Sequence, residues 1–309
     1  FEVATRTIAF NSGADGNLGV WVTNANVISA REELTSVTAN GYVYAIGGND
    51  NGGVDIKTVQ YAKINSDGST GAWATSTQSI TARNEHASVA ANGYLYVIGG
   101  FDSNSLALST VQYAKLNSDG STGTWTTSAE KISARSEHTS VVANGYIYAI
   151  GGSDGSANKS GNVQYAKLNS DGSTGAWATS TNDISARNGF ASVVANGYVY
   201  TIGGDNGVAL SIVQYAKLNS DGSTGVWTTS AESISARNDL TSVVANGYVY
   251  TIGGVNTGSS QRTVQYAKLN SDGSTGAWAT STNSLPGSGT DDHGSVVANG
   301  YVYAIGGID

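Results

Sequence analysis

One unit of about fifty residues recurs six times along this 309-residue chain, and no other feature restricts its fold so strongly. Six tryptophans mark the period: Trp21, Trp73, Trp125, Trp177, Trp227 and Trp278, at spacings of 52, 52, 52, 50 and 51. A Gly-Gly pair keeps step, from Gly47-Gly48 through Gly99-Gly100, Gly151-Gly152, Gly203-Gly204 and Gly253-Gly254 to Gly306-Gly307. All 17 tyrosines fall inside the unit, twelve of them in segments reading NGYVY, NGYLY or NGYIY.

Each unit reads as four strands. The first is SVVA or a close variant, as at Ser192 to Ala195. Asn-Gly follows, a pair that tolerates positive φ at both positions and so makes a two-residue type I′ hairpin turn. The second strand, YVYAI or YVYTI, ends at Gly-Gly. The third, VQYAKL, alternates with period two. NSDGSTG then turns the chain into a fourth strand, GAWATS. Four short antiparallel strands make one blade of a propeller. A lone blade cannot bury both of its faces, whereas six stacked around an axis can. The expected fold is therefore all-β: a single six-bladed β-propeller over residues 1–309. The chain begins in the third and fourth strands of a unit, near Thr5 to Thr23, and ends in the first and second, His293 to Gly307. The N-terminal strands (about 5–24) are therefore expected to pair with the C-terminal strands (about 293–307) and close the ring. The first unit diverges most, with AFNSGADGNLGVW in place of YAKINSDGSTGAW.

Composition removes several function classes. A net charge of −8 opposes a nucleic-acid partner, which needs a basic face. No apolar run approaches the length of a membrane-spanning helix. Without Cys there is neither a disulfide nor a thiolate metal site. No Met is present either, so a start at Phe1 suggests a processed or trimmed chain. Few charges and many Ser, Thr and Asn residues lead us to expect an extracellular or cell-surface setting.

The order Gly99-Gly100, Tyr113, Trp125, Arg135, matched in most other units, resembles the kelch repeat. The resemblance runs through nearly the whole chain and implies a six-bladed propeller. NSDGSTGAW also resembles the Asp-box of sialidase propellers, but the distance from Asp67 to Trp73 does not fit that pattern. The copper-radical oxidases with kelch domains need a Cys that this chain lacks. The last unit departs from the pattern: it has no arginine and reads SLPGSGTDDHGS.

Loops joining strands one to two and three to four share one face, and they are nearly identical in all units. Loops on the opposite face all differ: NDNGGVDIK, FDSNSLALS, SDGSANKSGN, DNGVALS and VNTGSSQR. Recognition of an asymmetric ligand belongs on the varied face. There the lead-in to each first strand collects five of the seven arginines, Arg31, Arg83, Arg135, Arg187 and Arg237. With them stand Glu85, His86, Glu137, His138, Phe190, Asp239, Asp292 and His293. The kelch resemblance implies that such arginines line the mouth of the central cavity, where a planar five-donor fork suits carboxylates or sugar hydroxyls. The opposing reading is that each arginine pairs with a carboxylate or a loop carbonyl of the adjacent blade and only holds loops. In a ring of arginines the acids are expected to be salt-bridged. The histidines lie in different blades with no close pair, so no metal and no cofactor is expected. NSDGSTG offers one carboxylate per copy, too few for calcium, and reads as a turn.

Three functions fit. The leading expectation is a recognition module binding a peptide or glycan at the varied mouth. A structural subunit of a surface layer or filament, binding copies of itself, is an alternative. A sugar mutarotase-like enzyme using Glu85, Glu137 and the arginines is another, implied by resemblance to bacterial sialic-acid mutarotases.

Overall fold

A computed structural model describes the backbone of residues 6–10 and residues 15–308 apart from 157. Six four-stranded antiparallel sheets stand around a central axis. Blade 1 runs Thr35–Ala39, Tyr42–Ile46, Val59–Lys63 and Ala74–Thr75 from the axis outward. Blades 2 to 5 repeat it, their innermost strands being Ala87–Ala91, Thr139–Ala143, Ala191–Ala195 and Thr241–Ala245. Blade 6 is assembled from both ends of the chain: Gly294–Ala298, Tyr301–Ile305, Arg6–Phe10 and Leu18–Thr23. Arg6 pairs with Ala304 and Ile8 with Val302, so the expected closure is present in antiparallel register. Thr5, which the sequence also placed in this strand, lies outside the described residues.

The sequence pattern explains why the blades stack. In the second strand, period-two alternation sends neighbouring side chains to opposite faces. Val43 and Ala45 join a cluster with Val296, Tyr303 and Ile305 of blade 6. Tyr44 and Ile46 join one with Leu95, Val97 and Leu116 of blade 2. All four are fully buried. The core is thus six inter-blade layers, not one centre. Each Asn-Gly turn adopts the expected left-handed pair, with Asn40 at φ 52° and Gly41 at φ 80°.

The NSDGSTG loops turn out to be inter-blade clasps. Asp67 Oδ1 accepts from the Ser69 amide and hydroxyl, and Asn65 donates to Ser69 Oγ, which fixes the NSDGSTG turn. The turn glycine of one blade lies flat on a tyrosine of the preceding one: a Cβ on Gly120 would sit 2.5 Å from the Tyr42 ring. The same contact pairs Gly68 with Tyr301 and, in the divergent first unit, Gly16 with Tyr248. Identity of these loops reflects one repeated packing constraint.

One expectation needs correcting. The sequence predicts a fourth strand over GAWATS, but in blades 1 to 5 it pairs over two residues only, as Gln60↔Thr75 and Tyr61↔Ala74. The bridge between Ile64 and Thr70, together with the bond from the Gly71 amide to the Lys63 carbonyl, consumes the pairing that a longer strand would use. The tryptophans of these five blades are consequently half-buried, whereas Trp21, on the six-residue outer strand of blade 6, is buried.

Candidate functional site

On the varied face the lead-in to each blade crosses the axis end of the ring. Residues 33, 85, 137, 189, 239 and 292 occupy one equivalent slot, and every one of them has positive φ, from 46° to 56°. Five are Glu or Asp, for which this conformation costs of order 1 kcal/mol each. It is held by a girdle of backbone bonds from blade to blade. The Glu33 amide donates to the Asp292 carbonyl, Glu85 to Glu33, Glu137 to Glu85, Gly189 to Glu137 and Asp239 to Gly189. The left-handed slot turns the side chains towards the axis. Glu33, Glu85, Glu137, Asp239 and Asp292 line a mouth cavity of about 140 Å³, notched where Gly189 offers no side chain.

Beneath the acids lies a second tier: Leu34, His86, His138, Phe190, Leu240 and His293. Each also packs against the first Gly of the preceding blade's Gly-Gly pair, as His86 does on Gly47. His86 Nε2 meets Thr35 Oγ1 at 2.9 Å, and His293 Nε2 meets Thr241 Oγ1 at 2.9 Å. The residue equivalent to those threonines in blade 2 is Ala87, and both ring nitrogens of His138 lack a partner. A further cavity of about 190 Å³ continues along the axis past a ring of six serines. These are Ser36, Ser88, Ser140, Ser192, Ser242 and Ser295, and none of their hydroxyls has a hydrogen-bond partner.

The arginines are not in this cavity. Arg31, Arg83, Arg135, Arg187 and Arg237 are all buried, at most 3% exposed. Arg83 donates to the Gly99 carbonyl at 2.8 Å, Gln112 Oε1 at 2.9 Å and the Thr81 carbonyl at 3.1 Å. Arg135 and Arg237 repeat this with Gly151 and Gln164, and with Gly253 and Gln265. Each arginine therefore braces the Gly-Gly corner and third strand of its own blade, not of the adjacent one, and its hydrogen-bond partners include no carboxylate. Arg187 is the exception. Ile212 stands where other blades carry Thr58, Thr110, Asn162 and Thr263, so the guanidinium reaches Thr201 Oγ1 instead and sits 5.4 Å from the Phe190 ring centre. In blade 6, Thr290 takes the place of the arginine.

The eight other expected site residues, Glu85, His86, Glu137, His138, Phe190, Asp239, Asp292 and His293, do line the mouth. The expected salt bridges are replaced by amides: Asn49 donates to Glu33 Oε2 and Asn188 to Glu137 Oε2, each at 2.7 Å. No group of three or more His, Cys, Asp or Glu side chains is placed to hold a metal among the described residues.

Five carboxyls facing one cavity disfavour their own ionisation. Burial, then Glu137, Glu33 and Asp239, push Glu85 up to about 9. Burial, followed by neighbouring carboxylates, raises Glu33 and Asp239 to about 7, and lifts Asp292 well above the usual range. Burial, then Arg83, lowers His86 to about 3, and burial lowers His138 well below the ordinary value. The folded state thus holds extra carboxyl protons above pH 4.5 and lacks histidine protons below pH 6.5. Stability should be highest between those limits and fall on both sides. Glu85→Gln should remove part of the alkaline loss. Urea unfolding at pH 6 and pH 9 should show the variant gaining at least about 1.4 kcal/mol relative to the parent between the two, the equivalent of one pKa unit. Parallel pH profiles would refute the carboxyl assignment.

Sequence reasoning missed two features. Glu33 shares the Glu85 slot, and its offset of two from Arg31 was the available signal. The varied loops also form small hairpins capped by Asp50, Asp102 and Asp154, whose carboxylates accept amides two and four residues on. In the first two of these hairpins the capped position carries the exposed Val54 and Leu106, and Val208 is likewise exposed in the loop of blade 4. The Asp-to-aliphatic spacing of four was visible in the sequence.

The family model described as the KLHDC2/KLHL20/DRC7 Kelch-repeats domain matches residues 33–254, more than two thirds of the chain. No curated protein matches it.

Proposed function

We propose, because the chain belongs to the kelch-repeat family, that its varied face binds a partner protein through an exposed peptide segment of that partner. Kelch propellers are in general protein-binding modules. The observation that carries the reading is the pair of features on this one face: an open polar mouth and a rim of exposed aliphatic side chains. Val54, Leu106 and Val208 are 60–66% exposed at loop tips on rigid blades. Aliphatic loop tips held on rigid blades around a polar mouth suit a peptide that lays its backbone across the ring. An extracellular setting is part of the proposal and rests on the cysteine-free, Ser-, Thr- and Asn-rich composition.

An array of peptides and glycans probed with the purified protein tests it. Peptides should be retained, and the triple change Val54→Asp, Leu106→Asp, Val208→Asp should weaken them at least about tenfold, roughly 1.4 kcal/mol. Val226→Asp, at a side chain still more exposed and beside a uniform turn, should change nothing. Retention of glycans alone, or equal loss from Val226→Asp, would overturn the reading.

A further inference from the structure

We propose that the six Asn-Gly turns of the uniform face are modification sites, where the chain converts its own asparagines to aspartate and isoaspartate. The sequence holds nine Asn-Gly pairs. Each pair carries both reactants: the side-chain carboxamide of Asn, and the backbone nitrogen of a Gly whose missing Cβ leaves the approach uncrowded. The nitrogen attacks Cγ and closes a cyclic imide. The Gly N–H proton and the carboxamide nitrogen leave together as ammonia. One water then opens the ring. Cleavage of the new Cγ–N bond gives aspartate, and cleavage of the original C–N bond leaves the main chain running through the side chain as isoaspartate. No atom is oxidised or reduced, and water is the only co-reactant.

The structure divides the nine pairs in a way that the dipeptide alone does not. In three of them the Gly amide is held. Gly52 and Gly207 donate to the carboxylates of Asp50 and Asp205, each at 2.8 Å. Gly189 donates to the Glu137 carbonyl at 3.1 Å, and the buried Asn188 side chain donates to Glu137 Oε2. To attack, such an amide must give up its bond, and bonds to charged acceptors are the strong ones. The other six pairs begin at Asn40, Asn92, Asn144, Asn196, Asn246 and Asn299. Both residues of each are exposed, and among the described residues no hydrogen bond holds the Gly amide. A Cβ on any of these six glycines would meet nothing within 4 Å. The strand ladder begins outside the pair, at Ala39↔Tyr42 in blade 1, so the attack breaks no ladder bond. Exposure is not what separates the two sets, since Asn51 and Asn206 are exposed as well.

The Asp-Gly pairs of the NSDGSTG loops, on the same face, are protected by contrast. Gly68 donates to the Asn65 carbonyl at 3.2 Å, and Asp67 Oδ1 accepts from the Ser69 amide and hydroxyl. Those bonds hold the Asp67 carboxyl below its usual value, so it stays ionised, and a carboxylate is a poor electrophile. Each conversion of an Asn-Gly turn adds one negative charge to a chain that already carries −8. Isoaspartate also lengthens the backbone of a two-residue turn in which both residues hold left-handed φ, 50–52° at Asn and 78–80° at Gly. The uniform face therefore gathers charge with age at the ends of the innermost strands, while Asn51, Asn188 and Asn206 on the varied face are spared.

The test is prolonged incubation of the folded protein in mildly alkaline buffer, where amide nitrogens lose their protons more readily. Digestion at low pH and mass spectrometry then read each asparagine separately. The six uniform-face sites should convert at least about tenfold faster than Asn51, Asn188 and Asn206, one decade in rate. In urea, where no Gly amide is held, all nine should convert alike. Asp50→Ala frees the Gly52 amide and should bring Asn51 up to the fast set. Asp102→Ala, which uncaps the equivalent hairpin of blade 2, should leave Asn51 slow. Equal rates at all nine sites of the folded protein, or no conversion at the six, would overturn the assignment. An Asn51 that stays slow in Asp50→Ala would overturn the role given to the held amide.

Discussion

Arg83→Ala should unfold the propeller far more readily than any change among the mouth acids, shifting stability by about 3–5 kcal/mol, as expected when a buried charged network loses its hub. The substitution strands the Gly99 and Thr81 carbonyls and leaves Gln112 Oε1 with only the Thr81 amide. It also opens a cavity where a side chain 1% exposed had been. Small domains have only about 5–15 kcal/mol in hand, so the urea midpoint should fall steeply. Arg83→Lys should recover little, because one ammonium cannot span the same fork of acceptors. Arg187→Ala should cost less than half as much. Its Nε and Nη1 find no acceptor, and its Nη2 donates to Thr201 Oγ1. Should Arg83→Ala keep the parental midpoint and abolish partner binding, the arginines would return to the site.

Why the sequence left that choice open follows from the backbone. Arg83 and Glu85 are two residues apart in a lead-in that is neither helix nor strand, and no periodicity assigns their directions. A left-handed φ at Glu85 turns its side chain to the axis, while Arg83 points back into its own blade. A non-glycine residue with positive φ leaves little mark in sequence. The one clue is Gly189, which stands in the same slot of blade 4 and shows what backbone the other five must adopt. The ring, by contrast, was legible almost completely. Six copies of Gly-Gly, Asn-Gly and a period-two second strand each carry a local conformational demand, and only one arrangement satisfies all of them together. Fourth-strand length escaped, since GAWATS has strand propensity and nothing in it reveals that the preceding turn has already taken the pairing.

The repeats also separate what is scaffold from what is free to vary. At two positions where the six copies agree, a neighbouring blade is touching: the turn glycines lie on tyrosines, and the first Gly of Gly-Gly on the tier beneath the acids. The loops after Gly-Gly and the tier beneath the acids differ from blade to blade, and they meet solvent and the axis. The tier itself shows the consequence of drift. Where His faces Thr the pair is satisfied, as at His86 and Thr35, whereas His138 facing Ala87 and Thr139 followed by Phe190 in the next blade leave polar atoms without partners. Such orphaned groups cost about 1–3 kcal/mol each.

Removal of residues 1–24 should destroy the monomer. It takes away both outer strands of blade 6 and exposes the hydrogen-bonding edge of Tyr301–Ile305, which Arg6–Phe10 covers. An uncovered apolar edge invites pairing with another copy. Leu18 and Trp21 also leave the layer they share with Val243, Tyr250, Leu285 and Val302, between blades 5 and 6. The milder variant Trp21→Ala keeps the strand and should cost about 3–5 kcal/mol, the range for emptying a buried aromatic site. Trp73→Ala should cost less, because Trp73 is only half-buried and stands just before a two-residue strand. The ordering tests how the ring closes: if the five other blades were as dependent on their tryptophans, the six changes would lower the melting temperature alike. Light scattering of the shortened chain should show association, and adding a synthetic peptide of residues 1–24 should return it to a monomer. A shortened chain that stays monomeric with the parental melting temperature would mean that blade 6 stands without its N-terminal half.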